Sequence, residues 1–280
     1  MQVVTRIAEL RARLEPLRRA SRSIGFVPTM GYLHRGHEAL VRAAREECDV
    51  VVVSVFVNPL QFAPNEDFES YPRDSARDRA ILTAAGTDFL FQPDVAEIYP
   101  RPLLTEVAVP ELSHTLEGGT RPTHFQGVAT VVLKLFHIVW PDRAYFGQKD
   151  GQQVAVVRRL CQDLDLPLEL RVVPTVREPD GLALSSRNVY LSPEQREAAP
   201  SLYMALEKGR EAALAGMEGS AVQAAIERRI AEEPLARLDY AAVVDPDTMK
   251  AKTDLTGRVM LAAAAYFGKT RLIDNLIVEL

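Results

Sequence analysis

Cysteine is nearly absent: the 280 residues contain only Cys48 and Cys161, which excludes a disulfide framework and fits reduced, structural thiols in a cytoplasmic protein. Long hydrophobic runs are missing too. The longest, VVVSVFV (51–57) and VATVVLKLFHIVW (128–140), fall short of the roughly 20 apolar residues that cross a bilayer, and the second carries Lys134 and His137. Positive charge is not in excess. A net charge of −5 provides no broad basic field for nucleic acid or an anionic membrane, so an anionic ligand would have to be gripped locally. The first twenty residues lack the apolar core and small-residue cleavage site of a secretion signal, and Glu9 and Glu15 argue against a transit peptide. Internal repeats and low-complexity segments are absent. So is the common phosphate loop: YFGKT (266–270) ends like one, but Ala263 stands where its first glycine is required.

What is present is alternation. IGFVPT (24–29), DVVVVSVFV (49–57), DFLFQ (88–92), RAYFG (143–147) and LELRVVPT (168–175) are short and almost continuously apolar, as strands covered on both faces are. Between them, residues 37–47, 73–86, 127–139 and 150–164 carry apolar residues at helical spacing. This pattern predicts an α/β fold with a parallel sheet, whose ligands gather at the carboxyl ends of strands beside helix N-termini. Beyond about residue 175 the texture changes. A polar connector, REPDGLALSSRN (177–188), precedes helical stretches over 192–216 and 220–233 and three strand-like runs in 238–280. Two domains are expected, 1–175 and a smaller α+β domain, 176–280.

The stretch VPTMGYLHRGHEAL (27–40) sets His34 and His37 where the first of these strands hands over to a helix expected to begin near Gly36. Unpaired backbone N–H groups and the helix dipole favour an anion there, and two imidazoles add directed donors. Two other readings stand beside this one: a helix-capping or solvated histidine, and a zinc pair, although no Cys or Glu stands at a recognised third-ligand spacing.

PTMGYLHRGHEAL resembles the His-x-Gly-His element of the nucleotidylyltransferase superfamily. Together with VFVNPLQF (55–62), RPTHFQGVATVVLKLF (121–136), FGQKDGQQ (146–153) and DGLALSSRN (180–188), in this order, it is more narrowly similar to the pantothenate synthetase family. The likeness is strong from about residue 25 to 192 and holds only in outline beyond. It implies a Rossmann-like domain with the His-x-Gly-His motif and a C-terminal lid domain. It also implies an ATP-dependent ligase that joins pantoate to β-alanine through a pantoyl adenylate, releasing AMP and pyrophosphate.

The resemblance also implies roles. His34 and His37 hold the ATP phosphates, Lys149 stabilises the pentavalent transition state, and Ser185, Ser186 and Arg187 grasp the distal phosphates. Met30, Gly147, Asp150 and Leu184 complete the ATP contacts, Leu184 standing where some relatives carry methionine. Asn58, Gln61, Phe62, Arg121 and Gln153 line the pantoate pocket, where neutral amides suit hydroxyl groups. His124 and Gln126 are left without a role. Magnesium is implied on the ATP phosphates, and the family's acidic cluster after YPR is reduced here to Asp78 beside Arg77, so Asp78 is the magnesium candidate. The segment 58–73 and the 181–188 connector are the expected lids over a water-sensitive intermediate. A homodimer is implied, with no nucleic-acid or membrane partner. Read from the residues alone, each of these polar groups could instead be a turn residue, a cap or a solvated charge. Three functions therefore stand side by side: the ligase, a nucleotidylyltransferase acting on a phosphorylated small molecule, and a non-catalytic nucleotide- or RNA-binding module. The uncharged NPLQF and QKDGQQ favour the first, and the lack of a basic stripe disfavours the third.

Overall fold

The computed structural model describes residues 1–63 and 68–280. In chain order the elements are β1 (Gln2–Val4), α1 (Ile7–Arg19), β2 (Ile24–Thr29), α2 (Arg35–Glu47), β3 (Val50–Val55), α3 (Ser75–Ala84), β4 (Phe89–Phe91), and the short helices α4 (Val95–Ile98), α5 (Pro110–Ser113) and α6 (Glu117–Thr120). There follow α7 (His124–Val139), β5 (Arg143–Gly147), α8 (Gly151–Asp163), β6 (Glu169–Val173), α9 (Pro193–Ala198), α10 (Ser201–Leu214), α11 (Gly219–Ala231), β7 (Ala236–Val244), β8 (Arg258–Phe267) and β9 (Thr270–Glu279). Three 3-10 turns, Pro59–Gln61, Gln148–Asp150 and Ser186–Tyr190, carry most of the remaining chemistry. The chain divides into two compact units: Met1–Gly147 with Val156–Val173, and Gln148–Ala155 with Pro174–Leu280.

In the first unit six parallel strands stand in the order β1-β4-β3-β2-β5-β6. Val51, Val52 and Val53 are fully buried although they alternate in direction, because both faces of the sheet are covered. On one face Val27, Val51 and Val53 pack with Leu40, Val41 and Ala44 of α2 and Leu82 of α3. On the other, Phe26 and Phe146 meet Phe136 of α7 edge to face. Strand order reverses between β2 and β5, so the crevice beyond the carboxyl ends of these strands is the topological switch point, and the two histidines follow β2 directly.

Two features of the first unit were not read from the sequence. The N-terminal twenty residues supply the edge strand β1, paired in register with β4, and α1, which buries Leu10 and Leu14. Helix α7 begins at His124 rather than near Gly127. In the second unit β7, β8 and β9 form an antiparallel sheet in that order, with α10 and α11 packed on one face through Leu202, Leu206, Val222, Ile226, Leu261 and Phe267. The single helix expected over 192–216 is two, α9 and α10, divided at Ala199–Pro200 because proline has no N–H for the helical ladder. Among the described residues no helix is long and apolar enough to cross a membrane.

Candidate active site

The turn after β2 is built to hold two imidazoles. His34 is the N-cap of α2; its Nδ1 accepts from the Gly36 amide at 3.1 Å, while His37 Nδ1 accepts from the His34 amide at 3.3 Å, a reciprocal capping box made of histidines. A backbone N–H can only donate, so both Nδ1 atoms are unprotonated and each neutral ring carries its proton on Nε2. The ring centroids lie 4.1 Å apart. Two Nε2–H donors are therefore fixed at the positive end of a 13-residue helix.

The turn itself takes an unusual path, with Gly31 at φ +85° and Tyr32 at +50°. A Cβ on residue 31 would stand 3.0 Å from Val55 Cγ1 and 3.1 Å from Asp78 Oδ2, which fixes the choice of glycine. Asp78, only 2% exposed, anchors the turn: its two oxygens accept the Tyr32 amide at 2.9 Å and the Leu33 amide at 2.7 Å. Burial pushes its carboxyl above the ordinary range while these two amides pull it back. Met30 lies between Thr29 and this turn, and the Arg77 guanidinium lies 5.0 Å over the Tyr32 ring.

After β3 a second cluster forms around Asn58, which is 1% exposed, and Gln61, 7% exposed. Asn58 Oδ1 accepts from the Leu60 amide at 3.3 Å and the Tyr99 hydroxyl at 2.9 Å; Nδ2 donates to the Gly127 carbonyl at 3.1 Å and to Gln61 Oε1 at 3.0 Å. Because one neighbour is a backbone donor and another a backbone acceptor, the Asn58 amide has only one workable orientation. It turns Gln61 Oε1 towards itself, so the oxygen rather than the NH2 of Gln61 meets Asn58. The Gln61 carbonyl in turn receives Arg121 NH2 at 3.1 Å and lies 3.0 Å from His124 Nδ1. Gly127 permits this approach of α7, since a Cβ there would stand 2.1 Å from the Leu60 oxygen. Phe62 packs edge to face on Phe68 and Tyr71. Residues 64–67 of the first expected lid lie outside the described residues.

In the second unit, Lys149 and Asp150 sit on the 3-10 turn before α8, with Lys149 Nζ 3.4 Å from Asp150 Oδ1. Lys149 is the more enclosed of the pair, at 19% side-chain exposure against 46%. Gln153 is half-buried in the first turn of α8. Gly147 ends β5, and no described atom lies within 4 Å of where its Cβ would stand, so packing does not dictate that glycine.

The connector begins with Arg177, whose guanidinium pairs bidentately with Asp274 of β9, lies over the Tyr203 ring at 3.9 Å, and donates to the Gly181 carbonyl at 3.1 Å. Burial pushes the Asp274 carboxyl up while Arg177 pulls it down. Leu184 is buried, its amide bound to the Val176 carbonyl at 3.0 Å. Ser185 caps the third 3-10 turn by accepting from the Arg187 amide at 3.3 Å, and Ser186 and Arg187 are half-buried within that turn.

Sequence reasoning missed Tyr99, Arg177, Asp274 and Asn275. None has a local signal for the contact that matters, because each binds a partner remote in the chain: Tyr99 to Asn58, Arg177 to Asp274, and Asn275 to Gln148 and Lys149. Gly127, a glycine inside an apolar helical pattern, could have been flagged as a close approach. Both cysteines are free and buried.

Comparison with known proteins gives one answer over the whole length. The sequence profile of the pantoate-beta-alanine ligase family matches residues 2–277. The chain is 53% identical over 280 residues to the pantothenate synthetase of Moorella thermoacetica, covering 100% of this chain and 99% of the relative. It is 55% identical to that of Agrobacterium fabrum, covering 99% and 96%. Among solved structures, pantothenate synthetase from Thermus thermophilus superposes with a TM-score of 0.94 at 54% identity, covering 99% of both chains. A pantoate-beta-alanine ligase from Francisella tularensis, complexed with beta-gamma ATP and beta-alanine, gives 0.81 at 37% identity, covering 99% of this chain and 97% of its own. The fold, the motifs and these full-length matches agree: this chain belongs to the pantoate–β-alanine ligase family, the pantothenate synthetases.

Proposed function

We propose that the chain condenses pantoate with β-alanine in two half-reactions driven by ATP, using the residues assigned from its motifs. In the first, a pantoate carboxylate oxygen attacks the α-phosphorus, the bond to pyrophosphate breaks, and pantoyl adenylate forms. In the second, the β-alanine amine attacks the acyl carbon, the acyl–oxygen bond breaks, AMP leaves with the electron pair, and the amine gives up a proton. No covalent nucleophile is needed from the protein; donors that neutralise growing phosphate charge supply the catalysis.

The observation that carries this reading is the histidine capping box. Two Nε2–H donors at a helix N-terminus suit a polyphosphate, whereas zinc would need further ligands. Lys149 stabilises the transition state. Ser185, Ser186 and Arg187 take the distal phosphates, with Met30, Gly147, Asp150 and Leu184 on the nucleoside side. Gln61 donates its NH2 to an oxygen of pantoate, and Asn58 holds the Gln61 oxygen in place; Phe62, Arg121 and Gln153 are further contacts for pantoate. The described part of the 58–73 segment and the 181–188 connector serve as lids that exclude water.

Magnesium does not fit a site made by the protein: among the described residues no group of three or more His, Cys, Asp or Glu converges, and both Asp78 oxygens are engaged by backbone amides. No step is routed through it; a magnesium ion on ATP belongs to the phosphates. A cytoplasmic location and a homodimeric state form part of the proposal on the strength of the family resemblance. The reading is tested by ATP–pyrophosphate exchange with purified protein. Exchange should require pantoate and proceed without β-alanine; exchange indifferent to pantoate would remove the adenylation step.

A further inference from the structure

Two consecutive residues of β9, Asp274 and Asn275, are 4% and 5% exposed amid apolar neighbours Leu272, Ile273, Leu276 and Ile277. Buried polar side chains are tolerated at such positions only when their polar atoms are satisfied. Among the described residues, the Asn275 side chain is satisfied by one segment. Its Nδ2 donates to the Gln148 carbonyl at 2.9 Å and the Lys149 carbonyl at 2.8 Å, and its Oδ1 accepts from Gln148 Nε2 at 2.8 Å. Both amide hydrogens thus end on consecutive carbonyls, so the socket fixes the path of the backbone from which Lys149 extends. Gly151 allows the approach, because a Cβ there would stand 2.7 Å from Met260 Sδ and 3.1 Å from Asn275 Nδ2. The neighbouring Asp274 receives Arg177, which in turn donates to the Gly181 carbonyl at the start of the stretch that leads to Ser185–Arg187. Within the second unit, therefore, both segments assigned to ATP hang from adjacent residues of one strand.

We propose that Asn275 is a positioning residue for the adenylation step, setting the backbone of Lys149. The inference rests on the role given to Lys149 above, and its test separates the two. An apolar side chain would leave the 148–149 carbonyls unheld, at a cost in stability; a role in positioning Lys149 adds a loss that falls on the adenylation step alone. N275D keeps the shape and the acceptor for Gln148 but replaces both carbonyl-facing donors with an oxygen. Small misplacements of a reacting group cost on the order of 100-fold, so pantoate-dependent ATP–pyrophosphate exchange should lose about that much in kcat with the KM for ATP unchanged. Aminolysis of supplied pantoyl adenylate, which does not use Lys149 for phosphate charge, should keep its rate. In the K149A background N275D should add no further loss.

Equal losses in both half-reactions would mark Asn275 as merely structural and overturn the proposal. Normal exchange by N275D beside an impaired K149A overturns this inference alone; normal exchange by both overturns the role of Lys149 as well. Should N275D fail to fold, G151A decides the matter by the same readout. Its added Cβ would stand 3.1 Å from Asn275 Nδ2 and so crowd the socket, at a helical position where alanine is the better helix former.

Discussion

The histidine turn of the first unit and the lysine turn of the second each follow a strand of the parallel sheet, yet they are held in opposite ways. His34 and His37 cap their own helix, each binding a backbone amide within three positions of itself. One buried carboxylate, Asp78, 45 positions further on, steadies the turn before them. In the Lys149 turn the two carbonyls of Gln148 and Lys149 are gripped instead from Asn275, 126 positions from Lys149 in sequence. A motif that carries its own scaffold is compact and recognisable; a motif that borrows its scaffold is only half visible in its own stretch of chain.

The self-contained turn invites the test with the largest effect. If His34 serves both as cap and as donor, the two jobs separate by substitution. H34A should lower the adenylation rate about 100- to 1000-fold, the usual loss for one preorganised donor, and cost about 1 kcal/mol of stability through the missing cap. H34N restores an acceptor for the Gly36 amide but offers no imidazole Nε2. Urea denaturation should therefore show stability recovered in H34N while pyrophosphate exchange remains slow; recovery of both would reduce His34 to a cap.

Next in size is the single remote prop of that turn. D78A leaves the Tyr32 and Leu33 amides without their acceptor in a buried place, which should cost about 2 kcal/mol. The cost should depend on pH with a definite sign. Because burial raises the folded-state pKa of Asp78 above its unfolded value, the folded state holds the proton more tightly than the unfolded chain does. The contribution of Asp78 to stability is then greatest at low pH. It declines as pH rises from the ordinary carboxylate value of about 3.9 through the folded pKa, and is flat above it. Urea midpoints of wild type and D78A across this window should converge as pH rises. Midpoints that stay parallel would mean that burial does not govern this carboxyl.

The same contrast explains what was legible in the sequence. The parallel strands, the helices between them and the His-x-Gly-His turn were visible because apolar period, β-branched runs and capping act over a few residues. Edge strand β1 was not, because Gln2–Val4 is too short to show a pattern and is defined by its pairing with Phe89–Phe91. The start of α7 was placed too late because its first turn has no side-chain cap to announce it. Asp78 is legible as a lone aspartate on a helical pattern, but nothing local discloses that the amides of residues 32 and 33 bind its two oxygens. Asn275 and Asp274 gave no sign at all: a polar pair in a strand-like run reads as a solvent-facing edge until the partner segment is known.

The smallest expected effect comes from Tyr99, a remote contributor to an otherwise local cluster. Asn58 and Gln61 lie three residues apart and orient each other, but the Asn58 oxygen is shared between the nearby Leu60 amide and the Tyr99 hydroxyl, 41 positions distant. Burial pushes the Tyr99 phenol well above its ordinary pKa, so it remains a donor at any working pH. Y99F removes that donor and leaves the Leu60 amide in place, so the orientation of Asn58 should persist with one neutral hydrogen bond fewer. That is worth about 1 kcal/mol, or about fivefold in an equilibrium constant. If Asn58 orients Gln61 for pantoate, the fivefold should fall on the KM for pantoate and leave that for ATP unchanged. A rise in both would mean that Tyr99 supports the fold around the cluster rather than the amide within it. No change in either would mean that the two backbone groups of Leu60 and Gly127 suffice, and that this cluster, like the histidine turn, is held by its own neighbourhood.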